Sequence, residues 1–172
     1  MNVFANRVFT WNRILACAVA LFADYASAAG SLNPQFPIVE GRYQMTHEWA
    51  LVLPEKFNRR IEDGSMVFWR PGMTVWINVW GNGKSTSRED RLHRIKADVS
   101  PKAFDIEEQT TSNPWRYTYR IKEHDEQGKV AALYGFAVGE SGHVQMAIYL
   151  DREADVANAY DIARSLQESV AH

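Results

Sequence analysis

Gly81-Asn82-Gly83-Lys84-Ser85-Thr86 sets a Gly-Lys-Ser triplet between an apolar run and a helical pattern, where backbone amides and a lysine could cradle phosphates. The spacing defeats it. A phosphate-binding loop needs a glycine five residues before Gly83, and Asn78 stands there, so the segment reads as a polar strand-to-helix connection and no nucleotide is expected. His47, His93, His124, His143 and His172 keep no metal-ligand spacing. Asp125-Glu126-Gln127-Gly128 lacks the alternating carboxylates and closing glutamate of a calcium loop and reads as a hairpin turn. Ser141-Gly142-His143 lacks the glycines of a nucleophile elbow and sits between two strands. No catalytic residue, metal ligand or cofactor is assigned.

The tryptophans are a richer signal. Trp76 and Trp80 fall on one face of a single strand, about 13 Å apart by strand rise, with Asn78 between them. Trp69 lies diagonal to Trp76 on the neighbouring strand. Two readings stay open: a core layer beneath a helix, or an aromatic platform for a sugar, lipid or protein partner with Asn78 as its polar contact. Trp76 is expected in the core, because it is mid-hairpin with apolar Val67 opposite. Trp80, at the strand end beside Gly81-Asn82-Gly83, is the contact residue if either is. Trp80, Asn78 and Trp76 are therefore the candidate partner-binding residues.

The elements that must position them follow from period and punctuation. Ser65 to Arg70 and Met73 to Trp80 flank Pro71-Gly72, a tight turn that pairs Trp69 with Thr74 and Val67 with Trp76. Met66, Phe68, Val75, Ile77 and Val79 then share one face; Val67, Trp69, Trp76, Asn78 and Trp80 share the other. With both faces apolar, the hairpin is expected inside a sheet covered on both sides. Trp49 to Leu53 reads as a strand stopped by Pro54. Thr86 and Glu89 form a capping box for a helix carrying Leu92, Ile95 and Val99, which stops near Ser100-Pro101. Phe104 to Thr111 is a weak strand; Trp115 to Glu123, Lys129 to Val138 and His143 to Leu150 make a meander. Asp151 caps a last helix whose stripe is Val156, Ala159, Tyr160, Ala163, Leu166 and Val170.

The first residues read as an address. Arg7 and Arg13, an apolar run Ile14 to Ala23 of about ten residues and the exit site Ala26-Ser27-Ala28 match a secretory signal, with cleavage expected before Ala29 or Gly30. The run is too short for a membrane span, which needs about twenty residues. Cys17 within Ile14-Leu15-Ala16-Cys17 loosely resembles a lipobox, but most of the apolar stretch follows it. Removing residues 1–28 removes the only cysteine. What remains is a flexible lead-in, 29–42, and one domain, 43–172, large enough to fold without disulfides. A net charge of −2 with no basic stripe argues against nucleic acid, and no second segment is long and apolar enough to span a membrane.

The order hairpin, helix, meander, helix indicates α+β, a largely antiparallel β-sheet flanked by helices on both faces. The strand ending Leu53-Pro54, the Trp- and Val-rich hairpin 66–80 and the meander closing Ala147-Ile148-Tyr149-Leu150-Asp151 before a terminal helix together resemble the PsbP-like fold, over most of the mature chain. That resemblance implies a helix-flanked sandwich serving as an accessory or binding protein, and it carries over no site residue. The expected function is thus an exported, periplasmic, non-catalytic binding or accessory protein whose partner is an envelope protein or envelope component. A sharper form is an inhibitor or immunity protein. The alternative is a hydrolase of envelope polymers with a site assembled only in the fold.

Overall fold

The computed structural model describes residues 31–82, 86–122 and 130–169. The signal-peptide reading of 1–28, the residues Gly83-Lys84-Ser85, the 124–128 turn and Val170 fall outside them. Nine strands form one antiparallel sheet: β1 (Ile38–Gln44), β2 (Trp49–Glu62), β3 (Ser65–Arg70), β4 (Met73–Gly81), β5 (Phe104–Gln109), β6 (Trp115–Ile121), β7 (Ala132–Val138), β8 (Gly142–Leu150) and β9 (Gln167–Glu168). Their order is β1-β2-β3-β4-β8-β7-β6-β5, with β9 on β2. Helix α1 (Arg88–Ala97) links β4 to β5, and α2 (Val156–Arg164) follows β8.

The protein is therefore mostly antiparallel β, and the expected sheet flanked by helices on both faces is not what forms. Among the described residues, two short helices cover only parts of the sheet. On β4, Met73, Val75 and Ile77 are buried, whereas Thr74, Trp76 and Asn78 opposite them are only half-buried. The apolar content of that second face is satisfied sideways: Phe36 meets Trp69 edge-on at 4.9 Å and the Arg60 guanidinium lies 5.0 Å from the Trp69 ring. Rings and long cationic stems cover one another there while their polar tips stay wet, so the part of the face over β3 needs no helix layer.

The hairpin register is as the sequence predicts, Val67 opposite Trp76 and Trp69 opposite Thr74, with Gly72 at φ 86° in the turn. Pro54 is where the reading fails. It bends the strand instead of ending it, because β2 continues to Glu62 and the step from Leu53 to Phe57 faces only Val39 to Gly41 on β1. An exposed proline at such a bulge loses no ladder hydrogen bond. The bend swings the first half of β2 over the sheet, so that Trp49, Leu51, Leu53 and Phe57 meet Phe68, Met146, Ile148, Ile162 and Leu166 in the main core. Helix α2 fills the space between, touching β2, β7 and β8. The segment read as a flexible lead-in is also held. Buried Asn58 accepts from Asn33 N at 2.7 Å and donates to Asn33 O at 2.8 Å, and residues 38–42 are already in β1.

Both helix starts differ by a little, for local reasons. Ser87, not Thr86, caps α1, its Oγ accepting from Asp90 N at 3.0 Å. Asp151 caps nothing; a 3-10 turn, Glu153–Asp155, precedes α2, and Asp155 turns to Arg70 and Arg152. The last helix stops at Arg164 because Ser165 Oγ donates to Ile162 O at 2.7 Å and accepts from Val52 N at 2.9 Å. Leu166 then drops into the core, and Gln167–Glu168 satisfies backbone groups of Ala50 and Trp49 as β9.

Glu168 fixes this end of the chain to the β7–β8 turn. Its carboxylate accepts from Ser141 N and Ser141 Oγ, both at 2.6 Å, and from Glu140 N at 3.0 Å. Burial by itself would raise its pKa, but these hydrogen bonds, with one from Asn113, outweigh it and hold the carboxyl below its ordinary range. Replacing Glu168 by Gln, which keeps the shape and removes the charge, is expected to cost about 1–3 kcal/mol in urea unfolding at neutral pH.

Candidate functional site

Strand β4 is central, hydrogen-bonded to β3 on one side and β8 on the other. The alternation of its side chains brings Trp76, Asn78 and Trp80 to the face away from the main core. Strand pairing then sets their neighbours: Val67 and Ala147 flank Trp76, Gln145 stands opposite Asn78, and His143 opposite Trp80. Asn78 Oδ1 accepts from Ser65 Oγ at 2.9 Å. Its amide nitrogen has no partner among the described residues. Trp80 is 49% exposed, its ring parallel to His143 with centroids 6.2 Å apart. Gly142 permits this closeness, since a Cβ there would overlap the Trp80 carbonyl oxygen.

The same face continues onto β7 and β6, where it is closed. Tyr117, Tyr119, Tyr134 and Phe136 pack beneath Leu92 of α1, with Ile95 and Val99 at the margin. Tyr119 stacks on Tyr134 at 5.1 Å. One half of the face is thus a small second core, which Ala147 and Tyr149 of β8 join; over β3 Val67 is buried and Trp69 covered, and the face opens toward the end of β4 and the start of β8, at Asn78, Trp80, His143 and Gln145. The boundary between them is cationic. Buried Arg91 of α1 donates to Thr86 O and Gly139 O, and Arg88 pairs with Glu140 at 3.2 Å while lying 4.7 Å from the Trp115 ring. Arg94 is exposed; its Nε donates to Asp90 O, and it makes no ion pair among the described residues.

His143 sits where these meet. Burial first, and then the charges of Arg91 and Arg94, lower its pKa to about 4, so the ring is neutral at physiological pH. Its Nδ1 is buried and has no hydrogen-bond partner among the described residues. Ser141, two residues away, gives its hydroxyl to Glu168 and not to His143. No group of three or more His, Cys, Asp or Glu side chains gathers in metal-binding geometry among the described residues.

No protein-family model matches the chain, and no curated protein matches it.

The structure brings the three candidates, Trp76, Asn78 and Trp80, onto one strand face and adds His143, Gln145 and Ser65 to it, while Arg94 stands on α1 one turn beyond Arg91. His143, Gln145 and Arg94 were missed because the β4–β8 pairing and the placement of α1 are long-range; Ser65 lies in the hairpin itself, opposite Asn78 by the same register, and was open to the sequence reading. Only the strand alternation of His143, Gln145, Ala147 and Tyr149 hinted that they share a face. Trp76 is half-buried and Trp80 half-exposed, so neither is deep core. Trp80→Ala is accordingly expected to change stability by no more than about 0.5 kcal/mol, and Trp76→Ala by about 1–3 kcal/mol, in matched urea titrations. A loss near 4 kcal/mol for Trp80 would show that its ring is enclosed.

Proposed function

We propose that this protein is an exported, non-catalytic binding or accessory module that engages an envelope component through the open face of β4 and β8. The observation that carries it is the exposure of Trp80, with Asn78 and Trp76 in line behind it, on a sheet face whose other half is sealed by α1. Half-exposed tryptophans beside neutral amides supply binding energy with little side-chain entropy to lose, which is why such residues concentrate at binding hot spots. The secretory leader belongs to the same reading. No helix among the described residues is long and apolar enough to cross a membrane. The test is affinity capture from envelope extracts with wild type and Trp80→Ala side by side. A component retained by the first and lost by the second supports the reading; identical retention by the two proteins contradicts it. Inhibition of an envelope hydrolase by the wild type, relieved in the same variant, would establish the inhibitor form.

A further inference from the structure

We infer that the open face takes an extended, carboxylate-bearing glycan, lying along Trp76, Asn78 and Trp80 with an acid group at Arg94. The inference rests on the binding-face reading above and narrows it to one ligand chemistry. Because β4 is bonded on both sides, an extended peptide cannot add to it as a further strand, and recognition falls to side chains alone. What those side chains offer is two indole rings spaced along a strand, with the amides of Asn78 and Gln145 and the hydroxyl of Ser65 beside them. Rings accept the apolar faces of sugars, and neutral amides satisfy hydroxyl groups as donors and acceptors. The charge requirement comes from α1. Arg88 is matched by Glu140 and Arg91 is turned inward to carbonyl oxygens, one of them Gly139 in the turn that leads into β8, whereas Arg94, one helical turn beyond Arg91, is exposed and has no carboxylate partner among the described residues. The opposing charge is left for the ligand to bring.

The experiment titrates the full exported chain with three defined probes: a hexamer of galacturonic acid, a hexamer of N-acetylglucosamine and a glutamate-rich dodecapeptide, followed by calorimetry and tryptophan fluorescence. The acidic hexamer should bind saturably and about tenfold or more tighter than the neutral one. Trp80→Ala and Asn78→Ala should each weaken it by about tenfold or more, with folding checked by circular dichroism. Arg94→Ala should bring the acidic hexamer down to the affinity of the neutral one and remove most of its salt dependence. Failure of both hexamers to bind, an acidic hexamer indifferent to Arg94→Ala, or tighter binding of the peptide overturns the inference. If no hexamer binds but Trp80→Ala still loses an envelope component on capture, the glycan assignment alone falls; if Trp80→Ala alters neither assay, the binding-face reading falls with it.

Discussion

Asp155→Ala should lower the unfolding free energy by about 3–5 kcal/mol, a large part of the stability of a domain this size. Asp155 is 5% exposed and takes Arg70 Nη2 at 3.0 Å on one oxygen and Arg152 Nε at 2.9 Å on the other. The Arg70 side chain is itself nearly buried, against the Phe57 ring and just before the Pro71-Gly72 turn. Without the carboxylate, that guanidinium keeps the Pro71 carbonyl at 2.8 Å and a longer contact with exposed Glu55 at 3.3 Å, a weak ionic partner for a charge held out of water. Burial alone would raise the Asp155 pKa; the hydrogen bonds from Arg152 and Arg70 outweigh it and leave the group below its ordinary value. A depressed carboxyl stabilises the fold above its unfolded pKa and loses that contribution as pH falls through the folded value, so the cost of the substitution should shrink in strong acid. Urea unfolding at neutral pH measures it. The double change Arg70→Met with Asp155→Leu should recover part of the loss, and a single-mutant cost under about 1 kcal/mol would remove this cluster from the account of stability.

Wild-type stability should also fall by about 2 kcal/mol as pH drops from roughly 6.5 to 5, through His143. The sign follows from the direction of the shift. His143 titrates near 4 in the folded protein and near 6.5 when unfolded, so below pH 6.5 the unfolded chain takes up a proton that the native chain refuses. The whole shift corresponds to about 3 kcal/mol at most, reached near pH 4 and absent above pH 7, and solvent access at this partly exposed ring reduces it. His143→Gln supplies a neutral side chain at every pH and should flatten the curve between about pH 7 and 5. Parallel slopes for the two proteins would mean that the ring reaches water and charges freely.

How far the sequence could be read depended on the range of the interaction. The Pro71-Gly72 hairpin was legible to the residue, because a two-residue turn and period-two alternation together leave a single register. The meander strands and the stripe of Leu92, Ile95 and Val99 were legible for the same local reason. β1 was not, since its alternation runs through Glu40, Gly41, Arg42 and Gln44 and reads as polar lead-in. The second half of β2 hid behind Pro54, whose role as a bend needs the partner strand to be seen. β9 hid within a helical stripe: Leu166 is at helical spacing from Ile162 and Ala163, but Ser165 finds Val52 and ends the helix. The tryptophans were found by type, while their exposure turned on which half of the sheet α1 covers. That is decided by the crossover from β4 to β5, not by any residue in the hairpin.

The pairing of β9 with the start of β2 sets an order on folding. Trp49 and Ala50 find their partners Glu168 and Gln167 only after β3 to β8 and α2 have passed, so the main core stays open along one side until that segment is present. A contact that spans the domain is slow to close, because its loop entropy must be overcome before the contact stabilises anything. A chain emerging from amino to carboxyl end therefore holds Trp49, Leu51 and Leu53 unburied until Leu166 arrives, and a stop a few residues early leaves it without its closing strand.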